Sequence, residues 1–290
     1  DGIRDVAVTG VQTCALPILQ QYFRQPAIYI KLPSNGEFYP EGTINIPPTG
    51  ELPVYPMTAM DEITYRTPDA LFNGSATTSV IQSCVPDIKN PWVIPAMDVD
   101  TILVGIRIAS YGHSMEVESQ CPHCDNKDSY SIDLRTVLDK LSSPDYTQSL
   151  KFRDLEIYFK PMTYQNLNDN NRKQFDEQRM LQALDADGPE QEKLNLLTQA
   201  LRKITEITID ALSQSVAAIK TPTALVTETQ FIQEFLKQCD RSVFNSIKEH
   251  IVALKMMSEL QPLDMTCQAC KKEYKQGLTL DMSNFFAPAS

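Results

Sequence analysis

The chain has 290 residues, 42% hydrophobic and 22% charged, enough apolar material for a sizeable core. Ten glycines, 19 prolines and a spread of aromatics exclude collagen-like, low-complexity and wholly disordered classes. Lysine and arginine number 26 against 37 aspartates and glutamates. The resulting net charge of −11 argues against general nucleic-acid binding, which needs cationic surface to neutralise phosphates. No run approaches the ~18 apolar residues of a membrane-spanning helix. The expectation is an acidic, soluble, globular protein of one large or two modest domains.

The start superficially resembles an export signal, with an apolar stretch from Val6 to Ile18, but its n-region is acidic (Asp1, Asp5) and a polar run interrupts it. Val8-Thr-Gly-Val-Gln-Thr-Cys-Ala-Leu-Pro-Ile18 also looks like the translation of a common sequencing-adapter oligonucleotide. Residues 1–18 therefore read as an assembly artefact, with the natural chain expected to begin near Leu19 or upstream of it.

Residues 19–112 predict an N-terminal α+β domain of short strands followed by short helices. Ala27–Leu32 is strand-like and Pro33-Ser-Asn-Gly36 is a turn; Thr43–Ile46 and Glu51–Tyr55 read as further strands. Thr67-Pro-Asp opens a helix that Gly74 closes, and Ser75 opens another carrying Val80, Ile81 and Cys84. Asp98 or Asp100 starts a helix with Ile102, Leu103, Ile106 and Ala109 on its face, closed by Gly112.

Two C-x-x-C pairs follow, Cys121-Pro-His-Cys124 and Cys267-Gln-Ala-Cys270, each preceded by an extended stretch and followed by a polar turn and a second strand. Two residues between cysteines let both thiolates of one turn point at a single ion, and two such turns complete the tetrahedron that Zn²⁺ prefers. Residues 113–134 and 261–282 thus predict a split zinc ribbon with Cys121, Cys124, Cys267 and Cys270 as ligands of a structural zinc. The spacing is unusual, because 142 residues lie between Cys124 and Cys267. The metal would act as a clasp around an insertion, removing unfolded-state entropy on the order of a few kcal/mol.

Cys-Pro-His-Cys is also a redox sequence, but that chemistry needs the first cysteine at a helix N-terminus, and a turn and strand follow here. Disulfides within or between the pairs would require export, which nothing indicates. A catalytic zinc would need an open position that four cysteines close. His123 reads as a solvent-facing turn residue, and Cys84 and Cys239 as buried small hydrophobes.

Residues 135–260 predict a strand plus a helical-bundle insertion. Leu155, Ile157 and Phe159 alternate with polar residues, and Phe159-Lys-Pro-Met-Thr163 echoes Val54-Tyr-Pro-Met-Thr58: both end a strand and offer a threonine N-cap. Leu194, Leu197, Leu201, Ile204 and Thr208 form one helical stripe and Phe244, Ile247, Ile251 and Leu254 another, both expected to be core. Asp185–Pro189 breaks two helices apart, Thr221-Pro222 ends the second, Asp240 caps the last, and His250 lies off the stripe and is expected to be exposed. There is no phosphate-cradling glycine loop, no G-x-S-x-G elbow, no H-E-x-x-H helix and only three histidines, so the protein is expected not to be an enzyme.

From about Ile28 to Phe286 the chain resembles the baseplate hub proteins of T-even-like contractile-tailed phages. The similarity is carried by Lys31-Leu-Pro-Ser-Asn-Gly36 with Tyr39, Pro56-Met-Thr-Ala-Met-Asp-Glu62, Pro68-Asp-Ala-Leu-Phe-Asn-Gly74 and Ile81-Gln-Ser-Cys84. Ile102–Gly112 and the Cys121 knuckle continue it, with the Cys267 knuckle and Asn284-Phe-Phe286 in the second half. The resemblance implies a non-catalytic hub subunit or hub-assembly factor that binds other hub and tail proteins. It would reside in the virion tail baseplate, and in the bacterial host cytoplasm during assembly, with no stable membrane insertion. Phe285 and Phe286 are candidate anchors in a partner's pocket, or pack back on their own domain. Two alternatives from other classes are a zinc-ribbon nucleic-acid or transcription-related protein, with Lys271-Lys272 locally basic, and a C-P-H-C thiol-disulfide oxidoreductase.

Overall fold

The alternating run after Pro26 forms β1 (Ile28–Ile30), antiparallel to β2 (Leu52–Val54), with Ile28 opposite Val54 and Ile30 opposite Leu52. Ile30, Leu52 and Val54 are buried while Tyr29 between them is 62% exposed, as a period of two requires. The structure is a computed structural model that describes residues 22–67, 74–183 and 190–277, with backbone alone for 180–183 and 190–196. The expectations for residues 1–18, the 67–74 helix, the Asp185–Pro189 break and Phe285-Phe286 lie largely or wholly outside those residues. The strand expected at Thr43–Ile46 reduces to a single bridge, Ile44 to Ile88, because Pro47 and Pro48 follow at once and cannot donate to a ladder.

Three helices complete the first core. Helix α1 (Ala59–Tyr65) is capped by Thr58, whose hydroxyl accepts from the Asp61 amide while the Asp61 side chain reaches back to the Thr58 amide. Helix α2 (Ser75–Cys84) begins after Gly74 and buries Val80, Ile81 and Cys84 as expected. Helix α3 (Ala96–Tyr111) starts two residues earlier than the acidic caps suggested, directly after Pro95, and ends at Gly112. Asp98 is drawn into tertiary structure instead: it is 0% exposed and its carboxylate accepts from the Ser34 amide (2.9 Å), the Ser34 hydroxyl (2.5 Å) and the Tyr39 hydroxyl (3.0 Å). Gly105 explains itself on the β1 side of α3, where an added Cβ would meet Ile30 Cγ2 at 3.0 Å. The turn that presents Ser34 needs Gly36 at φ +84°, and a Cβ there would fall 2.0 Å from Ile46 Cδ1. Gly36→Ala is therefore expected to cost about 2 kcal/mol, read as a lowered thermal midpoint.

The chain then forms a hairpin of β3 (Ser114–Gln120) and β4 (Lys127–Asp133), a short α4 (Leu134–Leu138), and β5 (Leu150–Phe152) and β6 (Leu155–Phe159). Helices α5 (Tyr164–Ala183) and α6 (Glu190–Ser215) follow, and Thr163 caps the first by accepting from the Asn166 amide, so both threonines of the sequence echo serve as caps. The segment after α6 corrects the expected bundle. The helix stops at Ser215, whose carbonyl accepts from the Lys160 amide, and Val216–Lys220 becomes β7. Thr221-Pro222 thus ends a strand, not a helix, and the result is a four-stranded antiparallel sheet, β5-β6-β7-β8, with β8 at Leu225–Val226.

Helices α7 (Thr229–Gln238) and α8 (Arg241–Ser258) cover this sheet, and Asp240 caps α8 through the Ser242 and Val243 amides. Ile232, Leu236, Val243, Ile247 and Leu254 pack with Ile157, Phe159 and Ile219 in a second core. Two further expectations are corrected here. On α6, Leu197 and Leu201 are 42% and 54% exposed, because α5 and α6 meet through Lys173–Asp210 (2.9 Å), Lys203–Glu177 (3.3 Å) and Asn170–Gln214 (3.2 Å) rather than through the apolar stripe. His250 is half-buried, its ring stacked on Phe159 at 4.4 Å, and burial lowers its pKa. The last hairpin is β9 (Leu263–Thr266) with β10 (Glu273–Gln276). The described residues thus form a mixed helix-and-strand fold of eight helices and small antiparallel sheets, none of the helices long and apolar enough to cross a membrane.

Candidate metal centre

Each C-x-x-C pair lies in the turn of a hairpin, and the two turns fold alike. The Cys121 amide donates to the Asn126 carbonyl (2.9 Å) and the Asp125 amide to the Cys121 carbonyl (2.9 Å). In the second turn the Cys267 amide donates to the Lys272 carbonyl (3.0 Å) and the Lys271 amide to the Cys267 carbonyl (3.0 Å). Asp125 (φ 56°) and Lys271 (φ 59°) occupy the same left-handed position, four residues after the first cysteine of each pair. A non-glycine residue in that region is uncommon, and its occurrence twice marks a turn fixed by its surroundings.

The two turns face each other. The four Sγ atoms all lie within 4.8 Å of one another, with Cys121 Sγ 3.8 Å from Cys270 Sγ and Cys124 Sγ 3.6 Å from Cys267 Sγ, both across the hairpins. Thiolates about 2.3 Å from a tetrahedral ion would be spaced about 3.8 Å apart, so the set is of the right size and chemistry for one soft metal ion. Backbone amides also point at sulfur: His123 N–H to Cys121 Sγ (3.4 Å) and Cys270 N–H to Cys267 Sγ (3.5 Å). The Cys270 amide, then that of Ala269, lowers the Cys267 thiol to about 7, nearer the thiolate a metal requires. At Cys124 the Asn126 amide acts in the same sense, but desolvation and the neighbouring sulfurs outweigh it and raise the thiol to about 12.

Cys121 and Cys267 are buried, Cys270 is half-buried and Cys124 is exposed, so the centre lies at the surface. His123 is exposed and outside the thiol cluster, as the sequence suggested. Cys84 and Cys239 are also outside it; burial raises both, Cys84 to about 12, which suits packing rather than reactivity. No helix begins at Cys121; β4 follows it, so the helix-dipole activation of a thioredoxin-type site is not built here.

Sequence reasoning missed the polar groups that lock the hairpins together. Ser119 Oγ lies 2.8 Å from the Tyr274 hydroxyl and donates to Gln276 Oε1 at 2.7 Å, and the Tyr130 hydroxyl donates to the Thr266 carbonyl at 3.2 Å. The one signal available was position: Ser119 lies two residues before Cys121, and Tyr130 and Tyr274 lie in the strand after each knuckle.

Four thiols from two hairpins thus converge in one cluster that could hold a metal ion. The chain belongs to the family of T4 bacteriophage base plate proteins, which matches it over residues 31–287. Membership makes it a structural component of a phage baseplate and implies a place in the virion tail among other tail and baseplate proteins. No curated protein and no solved structure matches the chain.

Proposed function

We propose that this protein is a non-catalytic part of the central hub of a contractile-tail baseplate, as a subunit or as a factor in hub assembly, and that it binds other hub proteins through a scaffold clasped by zinc. In this reading Cys121, Cys124, Cys267 and Cys270 are the zinc ligands, and residues 113–134 and 261–282 form a split ribbon. The ribbon ties an N-terminal domain of residues 19–112 to an inserted domain of residues 135–260. The observation that carries it is the convergence of thiols from two C-x-x-C turns with 142 residues between them, in a chain of the baseplate family. A clasp of that span fixes the two ends of the insertion to one place, which suits a rigid part that must present fixed surfaces.

The test is co-expression of a chain starting at Gln20 with the other hub proteins of its phage, followed by affinity purification and mass spectrometry. Stoichiometric co-purification of a hub protein, stable to moderate salt, is the expected result. Retention of nucleic acid that falls steeply with salt, with no hub protein present, would instead favour a ribbon that binds phosphates.

A further inference from the structure

Between the two cores lies a cleft of about 290 Å³, walled by the start of α3 on one side and by α5, α8 and the connection from β6 to α5 on the other. Its lining is largely apolar, with Met97, Met162, Leu167 and Leu254 contributing side chains. Two carboxylates break that surface, Asp100 and Glu259, and the second is paired with Lys255. Asp100, on the first turns of α3, lines the cleft and forms no hydrogen bond or ion pair among the described residues. Burial, and then the like charge of Glu259, raise its carboxyl to about 6, so at neutral pH it is an ionised, half-buried group with no partner among the described residues. The cationic groups nearby do not answer it. Lys255 pairs with Glu259 at 3.5 Å, and Lys160 lines the cleft without forming an ion pair with Asp100. The Tyr146 hydroxyl is a further polar group on the wall, and burial raises it to about 12.

An unpaired carboxylate in an apolar recess is costly to bury and becomes favourable once a cation joins it. The cavity is just below the size of pockets that hold drug-like ligands, roughly 300 Å³ and above, and suits a single side chain. We propose that this cleft receives one lysine or arginine side chain of a neighbouring baseplate protein, with its aliphatic stem along Met97, Met162 and Leu254 and its cationic head at Asp100. Long cationic side chains combine those two surfaces, an apolar stem and a charged tip. That the donor is a baseplate protein rests on the function proposed above; the preference for an alkyl cation does not.

The test uses the full chain with ¹³C-methyl-labelled methionine, titrated with n-hexylammonium chloride or with 1-hexanol while the Met97 and Met162 methyl signals are followed by NMR. A saturable shift of both methyls with the ammonium is expected, weakened about tenfold in Asp100→Asn and much smaller with the neutral alcohol. Asp100→Asn keeps the side-chain shape and removes a half-buried charge, so unchanged methyl signals elsewhere show that it folds. Absence of a saturable shift, an equal response to 1-hexanol, or unweakened binding by Asp100→Asn would each overturn the proposal. Ammonium binding in a protein that co-purifies with no hub component would leave the cleft standing and remove the baseplate donor.

Discussion

Replacing Cys121 and Cys124 together by serine is expected to take the zinc content from about one per chain to none, and to lower stability by about 4 kcal/mol. The magnitude follows from the loop: a link that closes a span longer than 100 residues removes about that much unfolded-state entropy in the chain-entropy account. Cys267→Ser with Cys270→Ser should do the same. Combining all four changes should add little, because the link is already lost when either side is cut. Metal analysis of protein purified without added metal, with urea unfolding of each variant, checks all three statements. Wild-type protein without metal, or two pair variants that differ widely in stability, would sink the clasp. Both cores retain their own packing around Ile102 and around Ile247, so the variants should remain partly folded rather than collapse altogether. An open clasp should then appear first as lost protection of β9 and β10, which hold few buried side chains of their own.

What was legible in the sequence had a local cause. The knuckles were visible because two residues between cysteines make a turn whatever surrounds it, and the alternation of Leu155, Ile157 and Phe159 gave β6 directly. The caps at Thr58, Thr163 and Asp240 were visible for the same reason. What failed depended on partners far along the chain. Val216–Lys220 continues a helical sequence without an obvious break, and pairing with β6 on one side and β8 on the other makes it a strand. The Leu197 and Leu201 stripe has the period of a buried helix face, yet charged contacts from α5 take the neighbouring face and leave those leucines outward. His250 gains its place from Phe159, on a strand ninety-one positions earlier, and Ser119 meets Tyr274 across a gap of 155 positions. At the candidate centre the ligand types and their grouping were readable, whereas the bonds that hold the two turns face to face were not.

Asp98→Ala is expected to destabilise the N-terminal core by about 3 kcal/mol near pH 5, and by less at pH 8. The first part is a matter of orphaned donors. Asp98 accepts from the Ser34 amide, the Ser34 hydroxyl and the Tyr39 hydroxyl in a site with no solvent access, and alanine leaves all three unanswered. These bonds anchor the turn after Leu32 to the start of α3, so its loss should free the whole Pro33–Tyr39 segment. The pH dependence follows from the carboxyl itself, which desolvation raises from 3.8 to about 6 against the opposing pull of the Ser34 and Tyr39 bonds. Because the folded value is the higher one, the folded state holds the proton more tightly. The contribution is therefore complete below pH 3.8 and declines as pH rises from there through about 6. A shift of about two units corresponds to about 2–3 kcal/mol, so the wild-type protein should lose stability across that window while Asp98→Asn, which cannot ionise, should not. Asp100, raised to about 6 by burial, titrates over the same range and needs its own Asn variant as a control. Urea midpoints at pH 4.5 and pH 7.5 for the wild type, Asp98→Ala, Asp98→Asn and Asp100→Asn separate these contributions. A cost for Asp98→Ala below about 1 kcal/mol, or one independent of pH, would mean that the turn is held by packing and that the buried carboxylate is incidental.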